Sequence, residues 1–239
     1  MPEHSVSETS VPDHYRPLLR QHSNWFAALS EQQQLQLLAQ AKLIQLGSGQ
    51  RLFSRGDAFD GIYVVLSGAL LIAGVHSSGR EALLTIVEAG DWIGEIALFD
   101  HKERTHDATV SIPSRLLQLN HSALQQLVLQ DPLWWQRFGQ LLTEKMRMLF
   151  QALEDISLLP ASVRLARRLL SLCRLHQQGE GYLIPVQQEQ LGQLLSLSRQ
   201  TINQLLQQLV MSGVLRTSYG HIEVLDLTLL KQAAQLDTN

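Results

Sequence analysis

Cysteine is almost missing: Cys173 is the only one in 239 residues. No disulfide can form within the chain, and an iron–sulfur cluster held by four cysteines of one chain is excluded. A lone thiol fits a reducing, cytoplasmic setting. No apolar run approaches the roughly 18 residues of a membrane span, so no membrane association is expected. The opening "MPEHSVSETSVPDH" has neither a basic n-region nor an apolar h-region. It reads as a disordered arm over residues 1–20 rather than a signal peptide. Charged residues make up only 17%, and the net charge of −3 excludes a uniformly basic protein. No nucleophile–base pair and no set of metal-spaced ligands stands out, so neither catalysis nor a metal is expected. Haem would need an axial ligand; nine histidines are scattered along the chain, and none of His76, His101, His106 or His121 identifies itself as one.

What is present is an ordinary globular composition, 45% apolar, with unevenly placed charge. From Pro160 onward there are seven Lys/Arg against five Asp/Glu, a balance of +2; the remainder holds 12 against 17, or −5. A weakly basic C-terminal part on an acidic body hints at a polyanionic partner there.

Periodicity divides the chain. A short helical stretch, "WFAALSEQQQLQLLAQAKL", precedes β-prone runs from Ile44 to about Leu119, each closed by a turn signal. Glycines at Gly56, Gly61, Gly68, Gly74, Gly79, Gly90 and Gly94 suggest the corners of an antiparallel barrel or roll. The period turns helical over 121–159. Phe138, Leu142, Met146, Leu149, Leu153 and Ile156 fall three or four apart on a helix of about 28 residues, near 40 Å long. Such a helix needs a partner along its length. A seam between two copies supplies one; packing on its own roll is the other way to cover the stripe. Pro160 breaks the pattern and marks a hinge. The expected organisation is α+β: an arm (1–20), an antiparallel β-roll (21–120), a dimerisation helix (121–159) and a C-terminal domain (160–239).

That last domain reads helix, strand, two helices, hairpin. "QQEQLGQLL" and "SRQTINQLLQQLVMSG" are split by a tight turn at Ser196–Leu197, and "VLRTSYGHIEVLD" turns at Tyr219–Gly220. This order describes a winged helix-turn-helix, whose second helix enters the DNA major groove N-terminus first. Ser198 is suited to the N-cap. Arg199, Gln200 and Gln204 then face base edges: Arg suits guanine O6/N7, and Gln suits adenine N6/N7. Thr201 and Asn203 reach phosphate or sugar. Acidic residues, which phosphate would repel, are missing from this helix. Ile202, Leu205, Leu206 and Leu209 form its buried stripe.

"LGQLLSLSRQTINQLLQQLVMSGVL" resembles the DNA-binding signature of the cyclic AMP receptor/fumarate–nitrate reductase regulator (Crp/Fnr) family of bacterial transcription factors, and the likeness extends over nearly the whole chain. It implies a cyclic-nucleotide-binding-like jelly roll, double-stranded DNA, a second copy of the chain and RNA polymerase as partners, and a palindromic operator. It also implies base contacts from Arg199, Gln200 and Gln204. Gln200 and Gln204 stand where the cyclic AMP receptor has Glu and Arg, so its half-site does not carry over. Ser196 replaces a common turn glycine.

"GDWIGEIALFDHKERTHDATV" is the second informative stretch. The run Gly94-Glu95-Ile96-Ala97-Leu98 can begin a helical turn whose backbone N–H groups favour an anion. Arg104-Thr105, about ten residues on, can return a charge and a hydroxyl to it. This resembles the phosphate-binding cassette of cyclic-nucleotide domains. The resemblance implies Glu95 on the ribose 2′-hydroxyl, Arg104 and Thr105 on the cyclic phosphate, and the Ile96 and Ala97 N–H groups nearby, with cyclic AMP or another cyclic nucleotide as effector. Two departures oppose it. Leu149 and Phe150 fall where the cyclic AMP receptor has a Thr-Ser pair for adenine, and His106-Asp107 replaces small apolar residues. Either the roll takes a cyclic nucleotide, or it takes another ligand or none, with Glu95 and Arg104 kept as a buried ion pair. Cys173, on an amphipathic helix, reads as packing.

Overall fold

A computed structural model describes residues 13–75, 81–173, 177–178, 181–218 and 220–235. These fall into two compact units, one up to Arg147 and one from Met148.

The first unit opens with three helices, α1 (Arg16–His22), α2 (Asn24–Ala27) and α3 (Glu31–Gln40). Their starts follow from local chemistry. Pro17 lies in the first turn of α1, where its missing N–H costs nothing. Ser30 and Gln33 form a reciprocal capping box on α3, as Ser-x-x-Gln predicts. The arm expected over 1–20 is corrected for its described part. Residues 13–15 form a 3-10 turn, α1 follows, and Tyr15 and Leu19 are buried. Burying a leucine contributes about 1.5–3 kcal/mol, enough to hold a short segment that composition alone presents as polar.

Six strands follow: β1 (Lys42–Leu46), β2 (Arg51–Phe53), β3 (Gly61–Val75), β4 (Glu81–Val87), β5 (Trp92–Ile93) and, after helix α4 (Ile96–Asp100), β6 (Asp107–Asn120). They form one antiparallel sheet in the order β1-β6-β3-β4, with β2 paired to β6 and β5 to β3. Successive side chains of β3 point to opposite faces. Ile62, Val64 and Leu66 meet the helices, with Trp25, Phe26, Leu37 and Trp92. Tyr63 and Val65 face a second core with Ile44, Phe53, Val87 and Leu116. Both faces are covered, so the strand is apolar without alternation.

Helix α5 (His121–Gln130) is capped by Asn120, whose side chain accepts from Ala123 N. Asp131 and Pro132 separate it from α6 (Leu133–Leu158), 26 residues long, close to the helix of about 28 residues expected. Near its start α6 faces inward. Phe138, expected in a seam between copies, is fully buried in its own core and stacked with Trp25 and Trp134. The helical period admits either partner for an apolar stripe; here the roll's helices claim its first turns. Leu142 is half-buried. Met146, Leu149, Leu153 and Ile156 are about half exposed, as is Phe150.

The second unit contains helix α7 (Ala161–Cys173), strands β7 (Gln177–Gln178) and β8 (Gly181–Ile184), helices α8 (Gln188–Leu195) and α9 (Arg199–Met211), strands β9 (Leu215–Ser218) and β10 (His221–Val224), and helix α10 (Leu227–Ala233). Its sheet runs β7-β8-β10-β9, so the wing hairpin is extended by the strand before α8. Arg164 on α7 donates to Leu195 O at 3.3 Å, and Arg167 pairs with Asp155 at 2.8 Å. Cys173 is buried, and burial pushes its thiol up to about 12, which leaves it unreactive. Tyr219, named above as part of the hairpin turn, lies outside the described residues, as do Gly79 and His76.

Between α8 and α9 the chain turns through Ser196 at φ 54°, ψ 42°. This is left-handed backbone, which disfavours any Cβ. Ser196→Gly is therefore expected to stabilise the second unit by about 0.5–1 kcal/mol: relief of strain outweighs the larger unfolded-state entropy of glycine. Thermal melts of the two chains check the sign. An unchanged or lower melting temperature would show that the strain has already been relieved by neighbours.

Candidate nucleic-acid interface and effector site

Helix α9 presents two chemically different faces. Ile202 and Leu206 are buried, while Leu205 and Leu209 are half-buried. Arg199, Gln200, Asn203 and Gln204 are exposed along the opposite side, and no acidic residue occurs in the helix. Ser198 caps it, its Oγ accepting from Thr201 N at 3.1 Å and lying 2.8 Å from Thr201 Oγ1. The cap holds Arg199 and Gln200 in the first turn, where the helix end favours approach to phosphate. Helices α8 and α9 meet closely because Gly192 has no side chain: a Cβ there would lie 3.0 Å from Leu197 O. Beside Arg199 a groove is lined by Gln188 and Glu189 of α8 and by Thr217, Ser218 and His221 of the wing. The wing residues were not singled out from sequence; only their place next to Arg199 marks them.

The second site lies in the roll. Gly94, at φ 96°, turns the chain from β5 into α4, and a Cβ there would lie 2.5 Å from Arg104 Nη1. Glycine is thus required both by the backbone and by the guanidinium. Glu95 is the N-cap of α4. Ile96 and Ala97 occupy its first turn, where helix geometry supplies no partner for their N–H groups. Arg104 is buried. It donates from Nη1 to Gly94 O at 3.2 Å and from Nη2 to Gly61 O at 2.5 Å, and it pairs with Asp60. Rings of Phe53, Phe59 and Tyr63 surround it, with Cζ 4.4, 5.1 and 5.7 Å from their centroids. Its Nε is buried without a hydrogen-bond partner among the described residues. The Tyr63 hydroxyl donates to Asp60 and accepts from Gln118 Nε2 at 3.0 Å. Burial, then the Asp60 carboxylate, raises the Tyr63 pKa, so the phenol stays protonated as a donor.

The buried Glu95–Arg104 ion pair left open above does not form. Glu95 instead meets Lys145 of α6 at 3.3 Å, and Lys145 also donates to Trp92 O. Reach explains the exchange. The α6 lysine extends to the α4 cap, while the Arg104 fork is committed to Asp60 and two carbonyls. Gly94, Glu95, Ile96, Ala97, Arg104, Thr105, His106 and Lys145 line one cavity of about 130 Å³. Lys145, Asp60 and the aromatic cage went unnoticed in the sequence. Lys145 alone had a signal there, one helical turn before Leu149. The cavity combines a fixed guanidinium, a hydroxyl and a carboxylate, groups that suit a phosphate and a sugar hydroxyl. No helix of the described residues is long and apolar enough to cross a membrane, and no cluster of three metal-ligating side chains occurs among them.

Comparison with known proteins finds a family for each of the two regions. The cyclic nucleotide-binding domain family matches residues 43–131, and the Crp-like helix-turn-helix domain family matches residues 163–233. The chain is 31% identical to the cyclic AMP receptor protein of Thermus thermophilus over 186 residues, 78% of this chain and 85% of the relative. It is 28% identical to a CRP-like cAMP-activated global transcriptional regulator of Mycobacterium tuberculosis over 203 residues, 83% of this chain and 91% of the relative. In fold it is similar to the crystal structure of a CRP/FNR-family transcriptional regulator from Thermus thermophilus, with a TM-score of 0.67 and 24% identity over 81% of this chain and 98% of that one. The Mycobacterium relative and the Thermus structure are both transcriptional regulators by name. An antiparallel nucleotide-binding-type roll, a long helix and a C-terminal helix-turn-helix in this order place the chain in the Crp/Fnr family of transcription regulators, with a cyclic nucleotide-binding domain and a DNA-binding domain.

Proposed function

We propose that the protein is a homodimeric, effector-responsive regulator that binds a roughly palindromic operator and works with RNA polymerase from that site. The observation that carries this is the exposed Arg199-Gln200-Asn203-Gln204 face of α9. Such donors read base edges, whereas a solvated helix face normally alternates acid and base. Half-site centres lie about one helical turn apart, near 10 bp, because two-fold symmetry relates the two recognition helices. The exposed apolar residues Met146, Leu149, Leu153 and Ile156 on α6 support the pairing. Gel shifts on genomic fragments, with and without cyclic nucleotides, test the whole reading; absence of any preferred fragment would overturn it.

Arg199 is assigned to direct base readout, with Gln200 and Gln204 beside it and Ser198, Thr201 and Asn203 at phosphate or sugar. Arg199→Ala is then expected to cost about 1–3 kcal/mol of operator binding and to relax preference at one base pair per half-site. A phosphate-only role would weaken all sequences alike and lower the salt slope. Titrations on matched and mismatched operators at two salt concentrations distinguish the two.

For the effector, the arrangement favours cyclic AMP or another cyclic nucleotide. Arg104, with its partnerless Nε, and Thr105 take the phosphate, and Glu95 takes the ribose once Lys145 withdraws. Leu149 and Phe150, the positions that the resemblance sets against the base, are not among the residues that line the cavity. A second reading, a regulator that no longer takes cyclic nucleotide, is favoured by one observation: the cavity measures about 130 Å³, against roughly 300–1,000 Å³ for small-molecule sites. Calorimetry with cyclic AMP and cyclic GMP decides between them.

A further inference from the structure

His106 stands where the resemblance leads one to expect a small apolar residue, directly after the phosphate-binding pair Arg104-Thr105. Half-buried, it lines the same cavity as Arg104, Thr105, Glu95 and Lys145. Its Nδ1 lies 2.8 Å from Thr105 Oγ1. The ring lies beside Gly74 of the neighbouring strand β3, where a Cβ would make ordinary van der Waals contact with His106 Cδ2 at 3.7 Å.

A hydrogen bond between a neutral imidazole nitrogen and a hydroxyl has two forms. Nδ1 can accept, and then the Thr105 proton is spent on His106; or Nδ1 can donate to Thr105 Oγ1. A protonated ring allows only the second, because both nitrogens then carry hydrogen. The Thr105 proton is in that case free to point into the cavity. We infer that His106 tunes the effector site: as an imidazolium it turns the Thr105 hydroxyl toward the effector's phosphate and adds a positive charge beside Arg104, so that binding of the anion tightens in mild acid. This inference rests on the proposal that the roll takes a cyclic nucleotide.

The charged surroundings of His106 are mixed. Arg55, after β2, opposes its protonation, and Asp107, next along β6, favours it. Asp107 is itself engaged with Arg55 N at 2.7 Å and with the Arg51 guanidinium at 3.7 Å. Glu103, Arg104, Glu95 and Lys145 complete the charged lining, and the lining residues of β3 and β4, Ile72, Thr85 and Val87, carry no charge. Burial first, then Arg55, lowers the His106 pKa from its ordinary value of 6.5, so the unliganded site holds a neutral ring at neutral pH. A bound phosphate raises that value. The added affinity is therefore fully present below the unliganded pKa and is lost as pH rises through the liganded one.

The test is calorimetry of the full-length protein with cyclic AMP and with cyclic GMP at about pH 5.5 and about pH 7.5, a window in which imidazole is the side chain that ordinarily titrates. Carboxylates of ordinary pKa stay ionised there, and the cyclic phosphate stays a monoanion. Binding is expected to be about 5–10-fold tighter at the lower pH, a coupling just under one pKa unit. The profile should be flat in both His106→Ala and His106→Gln, with circular dichroism checking that each variant is folded at both pH values. Equal affinity of the wild type at the two pH values, or a profile retained in both variants, would overturn the role of His106 while leaving the cyclic-nucleotide proposal standing. No heat from either nucleotide at millimolar concentration at either pH would overturn that proposal and, with it, this one.

Discussion

Leu149→Asp combined with Leu153→Asp is expected to give a folded monomer whose operator affinity falls about 10²–10⁴-fold, the advantage lost when two linked half-site contacts become one. Both leucines are half or more exposed in the single chain, 60% and 50%. Their replacement therefore removes little from the chain's own core. At a seam between two copies, the same change buries carboxylates opposite each other without partners, which is prohibitive. Phe138→Ala is the control. Phe138 is fully buried within its own unit, so its truncation should cost about 3–5 kcal/mol of stability without a specific effect on association. Sedimentation velocity at micromolar concentration and operator titrations check both. A double variant that still sediments as a dimer, or a wild-type monomer with and without DNA, would remove α6 as the seam.

Arg104→Leu is expected to abolish the nucleotide-dependent part of operator binding. An effector shifts the balance of DNA-binding and non-binding states only by its differential affinity for them, typically about 1–3 kcal/mol or 5–150-fold. Arg104 supplies the one guanidinium in the cavity, so a cyclic phosphate bound there without it is a desolvated, uncompensated charge. The leucine keeps apolar contact with Phe53, Phe59 and Tyr63, which surround the guanidinium now. It leaves Gly61 O and Gly94 O without the donors they have. That loss costs about 1–3 kcal/mol per buried acceptor, and a thermal melt separates it from the binding defect. Arg104→Lys keeps the charge but not the planar fork and should respond only weakly. Full nucleotide stimulation in Arg104→Leu would show that the phosphate binds elsewhere. A wild type that is already tight and gives no heat with nucleotide would leave the constitutive reading.

The parts readable from sequence were those with short-range causes. Ser198 caps α9 because a serine before an apolar-periodic run accepts from the N–H three residues on. The break at Pro160 follows from the missing proline N–H and falls between α6 and α7. The amide face of α9 is legible because a 3.6-residue period separates it from Ile202 and Leu206. Where the sequence misled, the same stripe admitted two partners. Phe138 continues the spacing of Leu142 and Met146, yet it packs on Trp25 and Trp134. Leu19 follows a polar opening, yet it enters the core.

By itself, then, the sequence determined the order of roll, long helix and helix-turn-helix, the exposed amide face of α9, and the residue types gathered near Gly94 and Arg104, because capping, periodicity and turn chemistry act within a few residues. Only the tertiary structure decided which charges meet. Arg104 pairs with Asp60 across 44 positions, and Lys145 reaches Glu95 across 50. Those partners depend on the register of β3 against β6 and on where α6 lies against β5 and α4. No local rule carries that information, because an ion pair is set by the distance between its two groups in space and is indifferent to their separation along the chain.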